Sequence, residues 1–292
     1  MKIVAGLLLD KKISKKEDIE NIIKDIGTYI YHIDKLIVFN ISGSDQLMLY
    51  QALKQINKTY REIEYIDCDN YGQVYNYQLV LNKAIEEKAD YGIILERDVY
   101  YENDSFLMIK NIIINEKIDA SLITPIPLYT CLDHKQVDCL YRKIKGARFV
   151  GTFVNLKYYQ ESNGFVEDYY QTTFDYDYCI FERLKGHDII LVCNAILRDR
   201  KYEVIEKRFL FIKRMTFERD LYDVYYETRN RLYLWNKYKG LDDEYIKIDK
   251  KLFKKEKREM RLLDKGYKDK HLMILKATRD YRSGKMGKVE LL

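Results

Sequence analysis

The sequence predicts an α/β protein, with a mostly parallel β-sheet covered by helices on both faces and a helical C-terminal extension. Short apolar runs alternate with segments of helical periodicity through the first hundred residues, and this β-α alternation is typical of parallel sheets. After Arg198 the pattern becomes helical almost to the end, and the last part of the chain, 251–292, is basic. We therefore divide the chain into a domain at 1–215 and a basic helical region at 216–292.

The first four strands are predicted at 2–9, 36–39, 62–66 and 91–95. The run at 91–95 is apolar without alternation, which is typical of a strand that is buried on both faces. Helices are predicted between them at 15–31, 46–56 and 74–87. In the first helix, Ile19, Ile22, Ile23 and Ile26 recur every three or four residues, which places them on one face.

The second half of the domain alternates less regularly. We predict helices at 105–115, 157–163 and 178–185, and strands at 120–124, 151–156 and 189–197. Pro125 and Pro127, the only prolines, are expected to change the direction of the chain. The segment 128–148 has weak periodicity and is predicted to be an irregular excursion over the site. Beyond residue 198 the pattern predicts helices, with long spans at 217–239 and 247–263.

The composition excludes some classes of protein. A chain of 292 residues is expected to form one large domain, or one domain with an appendage. No apolar run approaches the roughly 18 residues that cross a bilayer, and the apolar N-terminal run is interpreted as a core strand rather than a signal peptide. The five cysteines show no C-x-x-C pair, so reduced thiols are expected.

The net charge of +5 is distributed unevenly. Residues 251–292 contain 14 Lys or Arg and 6 Asp or Glu, which gives +8 and leaves −3 for the rest of the chain. A basic region on a nearly neutral body is compatible with nucleic acid, an anionic membrane surface or a solvated helix. The charge alone leaves these three interpretations open.

Polar groups follow the predicted strands where each strand ends: Asn40, Ser42, Asn70, Gly72, Glu96 and Asp98. Ligands of parallel sheets bind beyond the carboxyl ends of the strands. Glu96 and Asp98 are two residues apart, so their carboxylates converge if the strand geometry persists. Such a pair suits a hard divalent cation and the phosphates it carries. The other interpretation is a charged turn that closes a strand.

Five segments stand in a fixed order along the chain, at 39–42, 70–76, 95–98, 164–179 and 225–230. Taken in order, they resemble the family-2 inverting glycosyltransferases of the GT-A fold, and most closely the rhamnosyl- and galactofuranosyltransferase-like subset. Phe39-Asn40-Ile41-Ser42 resembles the D-N-x-S strand end, and Asn70-Tyr71-Gly72 with Asn76 resembles the N-x-G-x-x-x-N stretch. Leu95-Glu96-Arg97-Asp98 occupies the place of the D-x-D motif. Residues 164–179 resemble the G-F-D-E-x-F and E-D-x-D-x-C segments, and 225–230 match Y-Y-x-x-R-N.

The resemblance implies a GT-A nucleotide-sugar-binding catalytic domain at 1–215 and a divalent cation, Mg²⁺ or Mn²⁺. Asp98 and Glu96 are the implied metal ligands, with Asp199 in place of the His that the family commonly has. Glu96 is one methylene longer than the family's Asp. The implied donor-binding residues are Asn40, Ser42, Asn70, Gly72, Asn76, Glu96 and Arg97. The alternative for the Leu197–Arg200 region is that Arg198 or Arg200 neutralises the diphosphate without a metal.

The resemblance also implies a general base, because a single displacement needs a group that takes the proton of the attacking hydroxyl. By position this is Asp175, with Tyr176 and Asp177 on the acceptor side. The residue before it is Phe174, where the family has Glu, and Phe39 stands where the family has a base-reading Asp. The alternative for Asp175 is the N-cap of the following helix, for which Asp177 is the better candidate.

The predicted function is therefore inverting transfer of a sugar from a nucleotide-diphosphate donor, dTDP-rhamnose or a UDP-sugar. The acceptor would be a saccharide or a lipid-linked saccharide in bacterial surface polysaccharide synthesis. We expect a cytoplasmic protein without nucleic acid as a partner. The sequence leaves two points open: a peripheral contact at the inner membrane face through the basic C-terminal helices, and a homodimer. The alternatives are a degenerate GT-A homologue that acts as a scaffold and a sugar-1-phosphate nucleotidyltransferase.

Overall fold

The computed structural model describes residues 1–13, 15–44, 46–57, 62–129, 134–162, 164–200, 204–209, 212–217, 219–264 and 266–290. In these residues a curled nine-stranded sheet is covered by helices on both faces, and three long helices follow it. The predicted α/β class is confirmed.

The first seven elements follow the predicted alternation and form the parallel half of the sheet. They are β1 (Ile3–Leu9), α1 (Lys16–Gly27), β2 (Lys35–Asn40), α2 (Leu47–Asn57), β3 (Glu62–Asp67), α3 (Gln73–Glu86) and β4 (Tyr91–Glu96). The strands lie in the order β3-β2-β1-β4 and all their pairings are parallel. Their carboxyl ends therefore meet at one edge of the sheet.

The second half of the sheet is mixed. It contains β5 (Val99–Tyr101), α4 (Ser105–Asn115), β6 (Leu122–Tyr129), β7 (Tyr141–Lys143), β8 (Phe153–Asn155), α5 (Leu156–Glu161), α6 (Phe174–Leu184) and β9 (Ile189–Asp199). The short strand β8 lies between β4 and β6 and is antiparallel to both. β6 and β9 are parallel to each other, whereas β5 and β7 pair with β9 in the antiparallel direction. The sequence did not predict the two short strands β5 and β7, each of which has three residues.

The two prolines do not change the direction of the chain, so that prediction is wrong. Both lie inside β6, whose pairing with β9 shifts register between Thr124 and Ile126. Proline cannot donate a ladder hydrogen bond and is tolerated in sheets at such irregularities. The strand therefore continues through them to Tyr129.

The core consists of two apolar layers, one on each face of the sheet. Alternate residues of β1 point to opposite faces, so Leu7 belongs to one layer and Leu8 to the other. The first layer is covered by α1, α2 and α4, and the second by α3, α5 and α6. Leu234 and Ile246 from the C-terminal helices also belong to the second layer.

Helices were predicted beyond residue 198, but a hairpin precedes the C-terminal helices, so that prediction is wrong for its two strands. β10 (Val204–Phe209) and β11 (Ile212–Phe217) are antiparallel and span the predicted boundary at 215. The helices α7 (Leu221–Lys237), α8 (Asp243–Leu263) and α9 (Tyr267–Arg282) follow, and α7 packs along α9. In the part of the chain that the structure describes, no helix is both long and apolar enough to span a membrane.

Candidate functional site

Two adjoining cavities open at the carboxyl edge of the parallel strands. The first, the rim cavity, has a volume of about 280 Å³ and is lined by residues from the ends of β1 and β4, the start of α3 and the loop around Tyr170. The second, the helix cavity, has a volume of about 250 Å³ and lies between the start of α6 and the helices α7 and α8. Gln73, Tyr77 and Gln171 line both cavities. The two cavities therefore meet at these three side chains.

Glu96 ends β4 and its carboxylate is held in place from α3. The Tyr77 hydroxyl donates to Glu96 Oε1 at 2.6 Å, and Gln73 Nε2 donates to the same oxygen at 3.4 Å. Burial, with the Glu96 charge beside it, raises the pKa of Tyr77 well above its ordinary value. Tyr77 therefore remains a neutral donor, and Glu96 has a fixed orientation at the rim cavity.

Asp98 lies two residues beyond Glu96, between β4 and β5, and lines the same cavity. Its backbone is left-handed, with φ of 69°, because the chain turns sharply between β4 and β5. Arg97 Nε lies 3.5 Å from Asp98 Oδ2, and Arg97 Nη2 lies 3.3 Å from Asp18 Oδ1 on α1. Arg97 lines the rim cavity, but its charge is shared with these two carboxylates.

The described residues fit a divalent cation only in part. No group of three His, Cys, Asp or Glu side chains among them is placed to hold a metal ion. Glu96 and Asp98 nevertheless line one cavity, and Mg²⁺ is commonly bound by one or two carboxylates together with substrate phosphates. The pair therefore fits a cation whose remaining ligands are phosphate oxygens.

Asp199 is placed differently from the other predicted ligands. It ends β9 and lines neither of the two cavities. Its Oδ2 lies 4.0 Å from Arg148 Nη1. The structure thus places Asp199 beside a cation, and its role as a metal ligand stays a prediction.

Asn70, Gly72 and Asn76 form one corner of the rim cavity. Asn70 Oδ1 accepts hydrogen bonds from the Gly72 amide at 3.1 Å and from Asn76 Nδ2 at 3.0 Å. Asn76 Oδ1 is buried without a hydrogen-bond partner in the described part of the structure. An unpaired buried acceptor is costly, so this oxygen is a candidate contact for a ligand donor.

Gly72 is required for this corner. Its φ is 106°, and a Cβ on it would lie 2.4 Å from the ring of Tyr170. Residues other than glycine rarely adopt such a φ. The close packing of Gly72 on Tyr170 shapes the wall of the rim cavity.

Asn40 and Ser42, also predicted as donor-binding residues, do not line the two cavities. Asn40 Nδ2 donates to Asp67 Oδ1 at 2.6 Å, and Ser42 Oγ donates to Asn40 Oδ1 at 2.7 Å. Ile41, between them, lines the rim cavity. These polar groups therefore organise the loop that presents Ile41.

Asp175, the predicted base, lines the helix cavity from the first turn of α6. Its Oδ1 accepts a hydrogen bond from the Tyr176 amide at 2.9 Å. Burial raises the pKa of Asp175 to about 6, against the lowering effect of the Arg148 charge. The carboxyl group can therefore change protonation near neutral pH, as a general base requires.

Neither aspartate of α6 caps the helix, so the capping alternative is wrong. The N-cap residue is Thr173, whose side chain makes no cap hydrogen bond, whereas Asp175 lies inside the first turn and accepts from the Tyr176 amide. Asp177 is buried and accepts from Tyr169 Oη at 2.9 Å and from Lys237 Nζ at 2.8 Å. It joins α6 to α7 and lines neither cavity, whereas Tyr176 lines the helix cavity.

Arg148 lines the helix cavity and was not singled out from the sequence. Burial disfavours its charge, but the neighbouring Tyr77, Glu96 and Asp175 groups more than offset this, so its pKa lies above the ordinary arginine value. Arg148 is thus a cation close to carboxylates of both cavities. It falls in the segment 128–148 of weak periodicity, one of 51 Lys and Arg residues in the chain, so no local signal distinguished it.

The far wall of the helix cavity is a network of charged groups from α7, α8 and Arg219, which lies just before α7. Arg219 Nη1 lies 2.8 Å from Glu227 Oε2 and 3.4 Å from Glu256 Oε2. Arg231 pairs with the same Glu256 at 2.5 Å and with Asp249 at 3.5 Å. Each arginine of this wall is therefore matched by carboxylates, and the wall presents polar groups to the cavity.

The Y-Y-x-x-R-N segment of α7 supports the loop between the two cavities. Arg229 is fully buried and donates to the Tyr169 carbonyl at 3.2 Å and to the Gly287 carbonyl at 2.8 Å. Asn230 Nδ2 donates to the carbonyls of Tyr169, at 3.1 Å, and Thr172, at 3.2 Å. This loop carries Gln171, which lines both cavities.

The curled sheet with helices on both faces has the GT-A fold, which solved structures of low sequence identity share with this chain. The sequence matches no protein-family model and no curated protein. The structure is similar to that of S. aureus TarS 1-349 in complex with UDP-GlcNAc, with a TM-score of 0.59 and 10% identity over 96% of this chain and 80% of that chain. It is also similar to GalNAc-T7 with UDP, GalNAc and Mn²⁺, with a TM-score of 0.52 and 6% identity. That match covers 68% of this chain, which spans 44% of the GalNAc-T7 chain.

Proposed function

We propose that the protein transfers a sugar from a nucleotide-diphosphate donor to a hydroxyl group of a saccharide acceptor, with inversion at the anomeric carbon. One observation carries this proposal: the rim cavity with Glu96 and Asp98 meets the helix cavity with Asp175 at the shared side chains Gln73, Tyr77 and Gln171. A donor in the first cavity and an acceptor in the second would bring the reacting atoms together. The solved structures with UDP and UDP-GlcNAc support a nucleotide-sugar donor.

The donor would occupy the rim cavity. Its diphosphate would lie toward Glu96 and Asp98 at the end of β4, and the open Asn76 oxygen would accept a hydrogen bond from the nucleotide or sugar. A divalent cation held by Asp98 and Glu96 would supply charge stabilisation to the leaving diphosphate. The GalNAc-T7 structure with Mn²⁺ supports this cation. Arg148, close to Glu96, would add a fixed positive charge beside the developing negative charge.

The acceptor would occupy the helix cavity. Asp175 takes the proton of the attacking hydroxyl while that oxygen forms a bond to the anomeric carbon and the bond from this carbon to the phosphate oxygen breaks. The electron pair of the broken bond leaves with the nucleotide diphosphate. Tyr176 and Tyr245, with ring centroids 6.3 Å apart, line the cavity and would pack against the acceptor sugar.

The finer identity of the substrates rests on the sequence resemblance. We propose dTDP-rhamnose or a UDP-sugar as the donor and a saccharide or lipid-linked saccharide of a bacterial surface polysaccharide as the acceptor. The protein would act in the cytoplasm. Asn40, Ser42 and Asp177, which organise the surroundings of the cavities, would support the site without touching the substrates.

The decisive experiment measures nucleotide binding and turnover separately. Calorimetric titration of UDP and dTDP, with and without Mn²⁺, tests the rim cavity, and nucleotide release from a panel of nucleotide sugars tests turnover. We expect binding that Mn²⁺ strengthens, with turnover abolished in Asp175→Asn and retained in Asp104→Asn, an exposed carboxylate at the start of α4. Full turnover in Asp175→Asn would remove Asp175 as the base.

The scaffold alternative is favoured by one observation. Phe174, where the family has Glu, is buried against Tyr77 and Phe149, so it presents no carboxylate to an acceptor. A scaffold would release no nucleotide from any donor in the panel, whether or not it binds UDP, dTDP or Mn²⁺. Nucleotide release above the Asp175→Asn background would exclude it.

A further inference from the structure

The outer face of α8 carries a dense array of exposed cations. Between residues 247 and 262, all of which the structure describes, ten side chains are exposed: seven are basic, three are aliphatic and none is acidic. The basic ones are Lys247, Lys250, Lys251, Lys254, Lys255, Arg258 and Arg261. The buried positions Asp249, Phe253 and Met260 recur on the opposite face, so the array belongs to one side of an amphipathic helix.

Two of the three aliphatic residues, Ile248 and Leu252, lie along one edge of this basic face. Ile248 and Leu252 are each 47% exposed and Leu262 is 39% exposed. Ile248 and Leu252 are four residues apart and therefore neighbours on the helix surface. Exposed aliphatic side chains beside lysines are typical of helices that lie in the interface of a bilayer.

A shallow hollow in this face concentrates the charge. It has a volume of about 460 Å³ and is lined by Lys247, Lys250, Lys251 and Lys254, together with Asp243 and Ile246. Four lysines and one aspartate line this hollow, so its net charge is positive and attracts anionic groups such as phosphate.

We propose that the outer face of α8 binds the surface of an anionic phospholipid membrane. The cations attract the negatively charged headgroups, and Ile248 and Leu252 enter the boundary between headgroups and acyl chains. A nucleic acid would satisfy the cations as well, but its phosphates would gain nothing from the exposed aliphatic edge. The membrane accounts for both features of the face.

The opposite face of the same helix contributes to the helix cavity, which Asp249 and Glu256 line. A membrane bound to the outer face would therefore lie one helix diameter from the cavity in which we place the acceptor. This consequence rests on the proposed function and favours a lipid-linked acceptor. The membrane contact itself does not depend on it.

Vesicle co-sedimentation of the full chain tests the contact. We expect binding to phosphatidylcholine vesicles that contain phosphatidylglycerol, little binding to phosphatidylcholine alone, and weakening as salt is raised. Each basic residue near such a surface contributes about five-fold to binding, so the triple variant Lys250→Gln, Lys251→Gln, Lys254→Gln should bind about a hundred-fold more weakly. The matched variant Lys88→Gln, Lys117→Gln, Lys135→Gln removes the same charge from exposed positions elsewhere and should bind like the wild type.

A second variant separates a membrane from a nucleic acid. Ile248→Ser with Leu252→Ser should weaken vesicle binding and leave any binding to a DNA duplex unchanged. The proposal is overturned if the wild type binds both kinds of vesicle equally, if the two lysine triples behave alike, or if a DNA duplex displaces the protein from anionic vesicles at physiological salt. Because nucleotide binding and release are measured without vesicles, failure of this contact and failure of the proposed function are distinguishable.

Discussion

The hydroxyl of Tyr77 donates a 2.6 Å hydrogen bond to Glu96 Oε1, and Tyr77 lines both cavities. This bond connects α3 to the end of β4. It holds the carboxylate at the rim cavity in one orientation, so a side chain that itself has no charge determines where the charge of Glu96 lies.

Replacing Tyr77 with Phe removes this bond and keeps the ring. We expect kcat/KM for the donor to fall about 10- to 100-fold, since a hydrogen bond to a charged group contributes roughly 1.5–3 kcal/mol. Steady-state nucleotide release is the measurement. The control is Tyr71→Phe, which removes an exposed tyrosine–carboxylate bond of 2.9 Å to Asp69 and should leave kcat/KM unchanged. Equal effects of the two variants would contradict a positioning role for Tyr77.

The sequence predicted Glu96 but not its partner, and the reason is physical. An apolar run that ends on charged residues is visible within a few positions, so the strand ends with Asn70, Gly72, Glu96 and Asp98 could be predicted. Tyr77 and Gln73 reach Glu96 only through the crossover of α3 onto the sheet. Arg148 reaches the site from an irregular segment, and such contacts between distant residues leave no local periodicity.

In the C-terminal half, too, helices could be predicted from the local sequence, whereas contacts that depend on packing could not. The apolar and charged spacing of α7 and α8 predicted helices, because burial on one face repeats every three or four residues. The hairpin of β10 and β11 was missed because its strands, such as Val204–Phe209, mix apolar and basic residues. That Asp249 and Glu256 line the helix cavity depends on how α8 packs, which spacing does not determine.

The pH dependence of turnover should report the protonation of Asp175. Burial raises the pKa of this carboxyl to about 6, and only the ionised form can accept the proton of the acceptor. We expect kcat/KM to be constant above this pH and to fall about ten-fold per unit below it. The measurement is a pH–rate profile of nucleotide release at donor concentrations below saturation. A profile that stays level down to pH about 4, the ordinary value for Asp, would contradict this assignment.

Arg148 should determine the pH below which nucleotide release falls. We call this falling part of the pH–rate profile the acidic limb. The arginine charge favours the ionised form of Asp175 and lowers its pKa, so Arg148→Gln should raise the pKa and move the limb to higher pH. Arg148→Lys keeps the charge and should leave the limb closer to its original position. Arg142→Gln, at an exposed position of the same segment, is the control for nonspecific charge effects. A limb that does not move in Arg148→Gln would show that the cation does not act on the base.

The buried Arg229 should be a structural determinant of the loop between the cavities. Its guanidinium donates to the carbonyls of Tyr169 and Gly287 and lies 4.8 Å from the centroid of the Tyr226 ring. Arg229→Met keeps much of the volume but removes the side-chain donor to the Gly287 carbonyl and one of the two donors to the Tyr169 carbonyl, which should lower the free energy of unfolding by about 2–4 kcal/mol. Urea denaturation followed by circular dichroism measures the loss. The control Arg279→Met, on the exposed face of α9, should change the free energy of unfolding by less than about 0.5 kcal/mol.

Because the loop positions Gln171, nucleotide release by the Arg229→Met protein that remains folded should also fall. Undiminished stability would mean that water or the neighbouring Asn230 satisfies the carbonyls and that the loop does not depend on the arginine.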